Sequence, residues 1–291
     1  MLKCIEQIEE NAKQLNDVNI EYLHQMRVGL RKLYIAMQLL AKLSTDITLD
    51  DKFVYFMQEV RQLETKLGIA RDWDVFTQNT LPPIKAKLPL IAAHQLIQEH
   101  ANKITLQQHK QIIRLTQTQN YKNLWINFKD WLKDDNSIID KIFSNKPIMQ
   151  ICNTILQNKQ KKLLRYPKSP ATQISDQQQH KLRIFIKKFH YTLNFFAHLY
   201  PKQNVTKYLK MLKNLQGQLG VIHDYVVMRN LCNTLLKQRP ASDTQYKIGI
   251  GEIIGWKACE VDFLLIKFKK QWHKLRHLKP FWNDQKLSAN K

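Results

Sequence analysis

The chain has 291 residues, enough to bury a large core as one big domain or as two halves. Its 46 lysines and arginines against 24 aspartates and glutamates give a formal net charge of +22, a field that disfavours cationic partners and suits polyanions: nucleic acid, polyphosphate or an anionic membrane surface. Four scattered cysteines without a C-x-x-C pair exclude a zinc-site spacing or a dense disulfide framework, no apolar run reaches the ~18 residues of a membrane span, and the acidic N-terminal stretch MLKCIEQIEENAK lacks the apolar core of a secretory signal.

These features predict a soluble cytoplasmic protein with buried, reduced thiols. The charge is uneven along the chain. Residues 1–100 carry 12 basic and 13 acidic side chains, whereas residues 151–240 carry 16 basic residues against only Asp176 and Asp224.

With seven glycines, nine prolines and apolar residues recurring every three or four positions, the sequence predicts an all-α chain of about ten helices. Breaks are expected over residues 44–51, at Pro82-Pro83, at Pro147, over 167–170, at Pro201 and at Pro240, each able to end or start a helix. The stretch from Asp134 to Pro147 is the natural midpoint, dividing residues 1–291 into halves 1–145 and 146–291.

In YLHQMRVGLRKLYIAMQLL, Leu23, Met26, Leu30, Leu33, Met37 and Leu40 share one helical stripe. His24, Arg27, Arg31, Tyr34 and Gln38 share another, about a third of a turn away, with Lys32 beside it. The row from His24 to Arg31 covers about 10 Å of helix, more than a single phosphate needs. Arginine offers forked donors to phosphate oxygens, lysine a mobile charge, and histidine a donor that gains a proton beside anions.

Further on, LETKLGIARDWDV (Leu63 to Val75) contains Arg71 and Asp72 and follows Arg61. Its Leu67-Gly68 pair fits a close helix crossing, or a helix end followed by a new start. Asp72 fits an acid that orients neighbouring cations, or a cap of the next helix.

Past the midpoint come Lys159, Lys161, Lys162 and Arg165, and then QQHKLRIFIKKFHYTLNFF repeats the first face. His180, Arg183, Lys187 and Lys188 stand where His24, Arg27, Arg31 and Lys32 stood, with Leu182, Ile186, Phe189, Leu193 and Phe196 as the apolar stripe. Ser175 or Asp176 is expected to cap this helix. LQGQLGVIHDYVV (Leu215 to Val227) repeats the second element at a constant offset of 152, aligning Lys213 with Arg61, His223 with Arg71 and Asp224 with Asp72. Two shared elements in the same order mark a duplicated unit.

His223-Asp224 invites a metal-centre reading, but that chemistry needs further ligands, and residues 151–240 hold one other acid, Asp176. No metal and no cofactor is expected. Gly249, Gly251 and Gly255 have the wrong spacing for a dinucleotide loop and fit a helix start or a close packing site. Near the C-terminus Lys267, Lys269, Lys270, Lys274 and Arg276 add cations, and Trp256, Phe263, Trp272 and Trp282 are expected in the core rather than as stacking platforms.

The combination of H-x-x-R-V-x-x-R-K at 24–32 with L-G-x-x-R-D-x-D-V at 67–75, and of H-x-x-R-I-x-x-K-K at 180–188 with L-G-x-x-H-D at 219–224, resembles the CHAD family, the conserved-histidine α-helical domain. The resemblance runs over almost the whole chain, to the closing W-x-x-x-R and Phe281-Trp282. It implies two helical bundles related by a pseudo-twofold, with the basic motif helices lining a central cleft or pore, and inorganic polyphosphate as the ligand. Some members are fused to a triphosphate tunnel enzyme; this chain has no E-x-E-x-K and no room for the tunnel strands. Tyr34 and His190 stand where the family often has a further arginine, and His223 where it often has asparagine or a related residue.

The function expected from this resemblance is non-catalytic binding of inorganic polyphosphate, with association with polyphosphate granules. His24, Arg27, Arg31, Lys32, Arg61, Arg71, His180, Arg183, Lys187, Lys188, Lys213 and His223 would contact phosphate. Lys159, Lys162, Arg165, Lys270 and Lys274 would add secondary contacts, with Asp72 and Asp224 as orienting acids. A nucleic-acid-binding helical protein is the alternative, since DNA or RNA is drawn by the same field.

Overall fold

The structure, a computed structural model, describes residues 1–15, 20–43, 51–88, 91–134, 147–167, 176–240 and 242–283. Among these residues every regular element is helical, as the spacing of apolar residues predicts. Ten α-helices follow in chain order among the described residues: α1 (Leu2–Lys13), α2 (Ile20–Leu43), α3 (Asp51–Asp74), α4 (Leu81–Lys85), α5 (Ile91–Gln117), α6 (Gln119–Lys133), α7 (Ile148–Leu164), α8 (Asp176–Phe195), α9 (Lys202–Lys237) and α10 (Thr244–Arg276). A π-helical turn, Val75–Thr80, joins α3 to α4, and 3₁₀ turns lie at Ala197–Leu199 and Phe281–Asn283.

The prolines act where their chemistry allows. Pro82 sits in the first turn of α4, where a missing N–H costs nothing, and Pro147 caps α7. The expected cap Ser175 lies outside the described residues, and α8 begins at Asp176. Both Leu-Gly pairs lie inside uninterrupted helices, so the alternative of a helix end at Gly68 or Gly220 is not realised, nor is a capping role for Asp72 or Asp224.

Packing divides the chain differently from a cut at 145/146. One unit comprises Met1–Asp140 with Asp224–Cys259, and the other Lys141–His223 with Glu260–Lys291. The physical reason is apolar burial: Met228, Cys232, Leu235, Tyr246, Ile250 and Ile253 share one core with Trp73, Phe76, Leu81, Ile84, Ile97 and Ala101. Sequence order alone does not reveal that residues 224–259 complete the first unit.

Within the first unit α2 packs between α1 and α3, and α3 packs on α5. The expected stripe from Leu23 to Leu40 is buried throughout, and Ile35 and Leu39 are buried as well, because α2 has neighbours on two sides. Gly29 makes the α1 crossing possible: a β-carbon there would lie 2.8 Å from Ile8 Cγ1 and 3.3 Å from the Cys4 carbonyl oxygen. Gly249 serves α10 likewise, with Ile97 and Ala93 3.0 and 3.1 Å from the place of a β-carbon, so it is a close packing site and not a helix start. Phe53, Phe56, Phe128 and Trp131 form an aromatic cluster, with Phe56 stacked on Phe128 at 4.5 Å.

The second unit builds its core from Leu182, Ile186, Phe189 and Leu193 of α8 against Tyr208, Phe281 and Trp282. Trp272 and Trp282 are buried as expected. Trp256 and Phe263 are not: they are 36% and 68% exposed, because α10 at these turns presents them to solvent. The thiol expectation is also corrected in part. Cys152 and Cys232 are buried, with burial pushing each up to about 12, but Cys259 is exposed.

Candidate anion-binding site

In the first unit α2 and α3 lie side by side, and the helical repeat turns the motif row of α2 towards the second element on α3. Arg27 Nη1 donates to the Gly68 carbonyl at 3.3 Å and lies 3.8 Å from Asp72 Oδ1. The guanidinium also lies against Gly68 itself, 3.6 Å from where a β-carbon would stand, an ordinary van der Waals distance. Gly220 has no described atom within 4 Å of that place, and the repeat is not matched there. Asp72 thus forms an ion pair with Arg27 beyond hydrogen-bond length.

One turn on, Arg31 Nε donates to Glu64 Oε1 at 3.2 Å, and Arg61 Nη1 donates to Glu64 Oε2 at 2.9 Å. Arg61 also lies over the Tyr34 ring at 5.5 Å, so the residue that departs from the family pattern steadies a cation rather than supplying one. Arg71 Nη1 is 4.0 Å from Asp74 Oδ2, a coulombic contact beyond hydrogen-bond length, while His109 Nε2 and Asp74 Oδ1 are 2.7 Å apart. Asp74 is fully buried. His24 is held below its usual value of 6.5, first by burial and then by Arg71, with Arg27 and Arg31 adding to the effect and Glu21 opposing it.

His24, Arg27, Arg31, Arg61 and Arg71 are thus brought together. Lys32 is not: its Nζ lies 3.5 Å from Gln7 Oε1 of α1, on another side of α2. A step of 100° per residue separates it from Arg31.

In the second unit His180 Nδ1 of α8 lies 3.2 Å from His223 Nδ1 of α9, their ring centroids 4.7 Å apart. Burial, then Arg183, then Lys187 lower the His180 value, which places both cations in its field. His190 is lowered by burial and by Lys213. The structure therefore groups His180, Arg183, Lys187 and His223, with Lys213 beside His190. Lys188 is half-buried one step around the helix, and Asp224 is exposed in the middle of α9.

The secondary cations are scattered. Lys162 lies 5.7 Å from the Phe185 ring centroid, Arg165 is exposed just past α7, Lys159 is half-buried, and Lys270 and Lys274 are exposed on α10. Arg276 is spent on structure, donating to the carbonyls of Leu163, Leu164 and Tyr166 at the end of α7, while Trp272 Nε1 donates to the Pro167 carbonyl at 3.0 Å.

Three residues of the arrangement escaped the sequence reading. Glu64 carried a weak signal, three residues after Arg61 on the same helix face. Asp74 stood in the R-D-x-D-V motif without a role of its own. His109 lies on α5, outside both repeats, and nothing local announces it. Among the described residues no group of three or more His, Cys, Asp or Glu could hold a metal ion, and no helix is long and apolar enough to cross a membrane.

The family model described as CHAD domain matches residues 1–233. Among solved structures, the crystal structure of the CHAD domain from the plant Ricinus communis is similar, at 26% identity and a TM-score of 0.76, over 94% of this chain and 89% of that one. PptA from Streptomyces chartreusis shares the fold alone, at 9% identity and a TM-score of 0.61, over 92% of this chain and 97% of that one. A comparison with curated proteins gave no match.

Proposed function

The chain belongs to the CHAD domain family, known in general terms for polyphosphate binding, and from that membership we propose that it binds inorganic polyphosphate without turning it over. One observation carries the proposal. Each unit gathers a histidine and two further cations of its motif helix with basic side chains of a second helix: His24, Arg27 and Arg31 with Arg61 and Arg71, and His180, Arg183 and Lys187 with His223.

Such rows suit a linear anion that presents a charge at every few ångströms. Charge-assisted hydrogen bonds from arginine orient the phosphate oxygens, and release of counterions drives association. That the two rows are copies of one duplicated unit is part of this proposal and rests on the repetition of the motifs. The absence of catalysis and a place at cytoplasmic polyphosphate granules are further parts of this proposal, taken from the family's polyphosphate ligand.

Competition at equal phosphate concentration separates this reading from nucleic-acid binding. Long-chain polyphosphate should stay bound in the presence of single-stranded RNA or duplex DNA. Displacement by either would favour the nucleic-acid reading. Incubation with labelled polyphosphate and Mg²⁺ or Mn²⁺ should release no phosphate.

A further inference from the structure

Glu64 and Gln216 hold the same place in the repeated element, one residue after Leu63 and Leu215 and three before Leu67 and Leu219. Their surroundings differ in charge. The Glu64 carboxylate, with a side chain only 10% exposed, accepts from Arg31 at 3.2 Å and from Arg61 at 2.9 Å. Gln216 is half-buried, and its amide oxygen has no hydrogen-bond partner among the described residues. A second position repeats the contrast: buried Asp74, beside Arg71 and His109, corresponds to Val226. The first copy of the element therefore sets carboxylates against its arginines where the second copy has an amide and an alkyl group.

We propose that Glu64 is an internal counter-anion that weakens the first basic row, making the two halves of the duplicated unit unequal in their hold on phosphate. The inference rests on the polyphosphate reading above. A phosphate oxygen approaching Arg31 or Arg61 competes with the carboxylate for the same N–H groups. It also meets a negative charge that solvent screens poorly at this depth. One effect opposes this: the carboxylate fixes two long side chains and spares the ligand the cost of ordering them. The charge effect is the larger here, because both arginines are already restricted: Arg61 lies over Tyr34, and the Arg31 side chain is only 17% exposed.

The test is an equilibrium titration of the full chain with inorganic polyphosphate of defined length, at several salt concentrations, alongside Glu64→Gln and the reciprocal Gln216→Glu. Glu64→Gln should tighten binding by roughly three- to tenfold and steepen the salt dependence by about one phosphate contact; Gln216→Glu should weaken binding by a similar factor. Unchanged or weaker binding by folded Glu64→Gln overturns the inference. Should that variant not fold, unchanged affinity of Gln216→Glu overturns it instead. If none of the three chains binds polyphosphate, the functional reading itself fails, and the inference with it.

Discussion

The imidazoles of His180 and His223 meet through their Nδ1 atoms at 3.2 Å, a separation that accommodates one proton between them and not two. Protonating both rings sets two cations face to face beside Arg183 and Lys187, unless an anion intervenes.

This gives a pH dependence with a definite sign. His24, His180 and His190 all lie below 6.5 in the folded chain, through burial first and neighbouring cations second. The unfolded chain takes up these protons at about pH 6.5 and the folded chain only at lower pH, so stability is full above that value and declines as pH falls through it. A bound polyanion favours the protonated rings, so binding tightens over the same interval. Melting curves between about pH 7.5 and 5.5 should show a falling Tm without ligand and a growing ligand-induced shift towards acid. A shift that stays constant would remove the histidines from the site.

Asp74 is the buried hub of the first unit, in contact with His109 and near Arg71. Replacing Asp74 by Ala takes the buried carboxylate away from His109 Nε2 and Arg71 and should cost about 3 kcal/mol or more, read by denaturant unfolding. A loss under about 1 kcal/mol would mean that the hub matters little to the fold.

Arg276 closes the C-terminal end of α7 through three carbonyls. Arg276→Ala should therefore cost about 1–3 kcal/mol of stability while leaving polyphosphate affinity within about twofold. A large affinity loss with unchanged stability would place Arg276 in the site instead.

The helical class and the stripe from Leu23 to Leu40 were legible because period and spacing are local properties, whereas the meeting of Arg27 and Arg31 with α3 depends on packing. Lys32 was misplaced because adjacency in sequence is not adjacency on a helix: one step of 100° carries it to Gln7. The exposure of Trp256 and Phe263 was illegible because it depends on which faces of α10 find neighbours. Glu64 and Asp74 carry no local signal that separates them from a solvated acid on a helix face. The partners of a donor row are acids from another helix, and only packing shows which acids come within reach.

The most direct measurement is the affinity for long-chain inorganic polyphosphate of the chain and of the variant carrying Arg27→Ala, Arg31→Ala, Arg183→Ala and Lys187→Ala. Circular dichroism would confirm that both remain helical. The intact chain should bind with a steep salt dependence, and the fourfold variant should lose at least about a hundredfold in affinity. Retained affinity in a folded fourfold variant would contradict the polyphosphate reading.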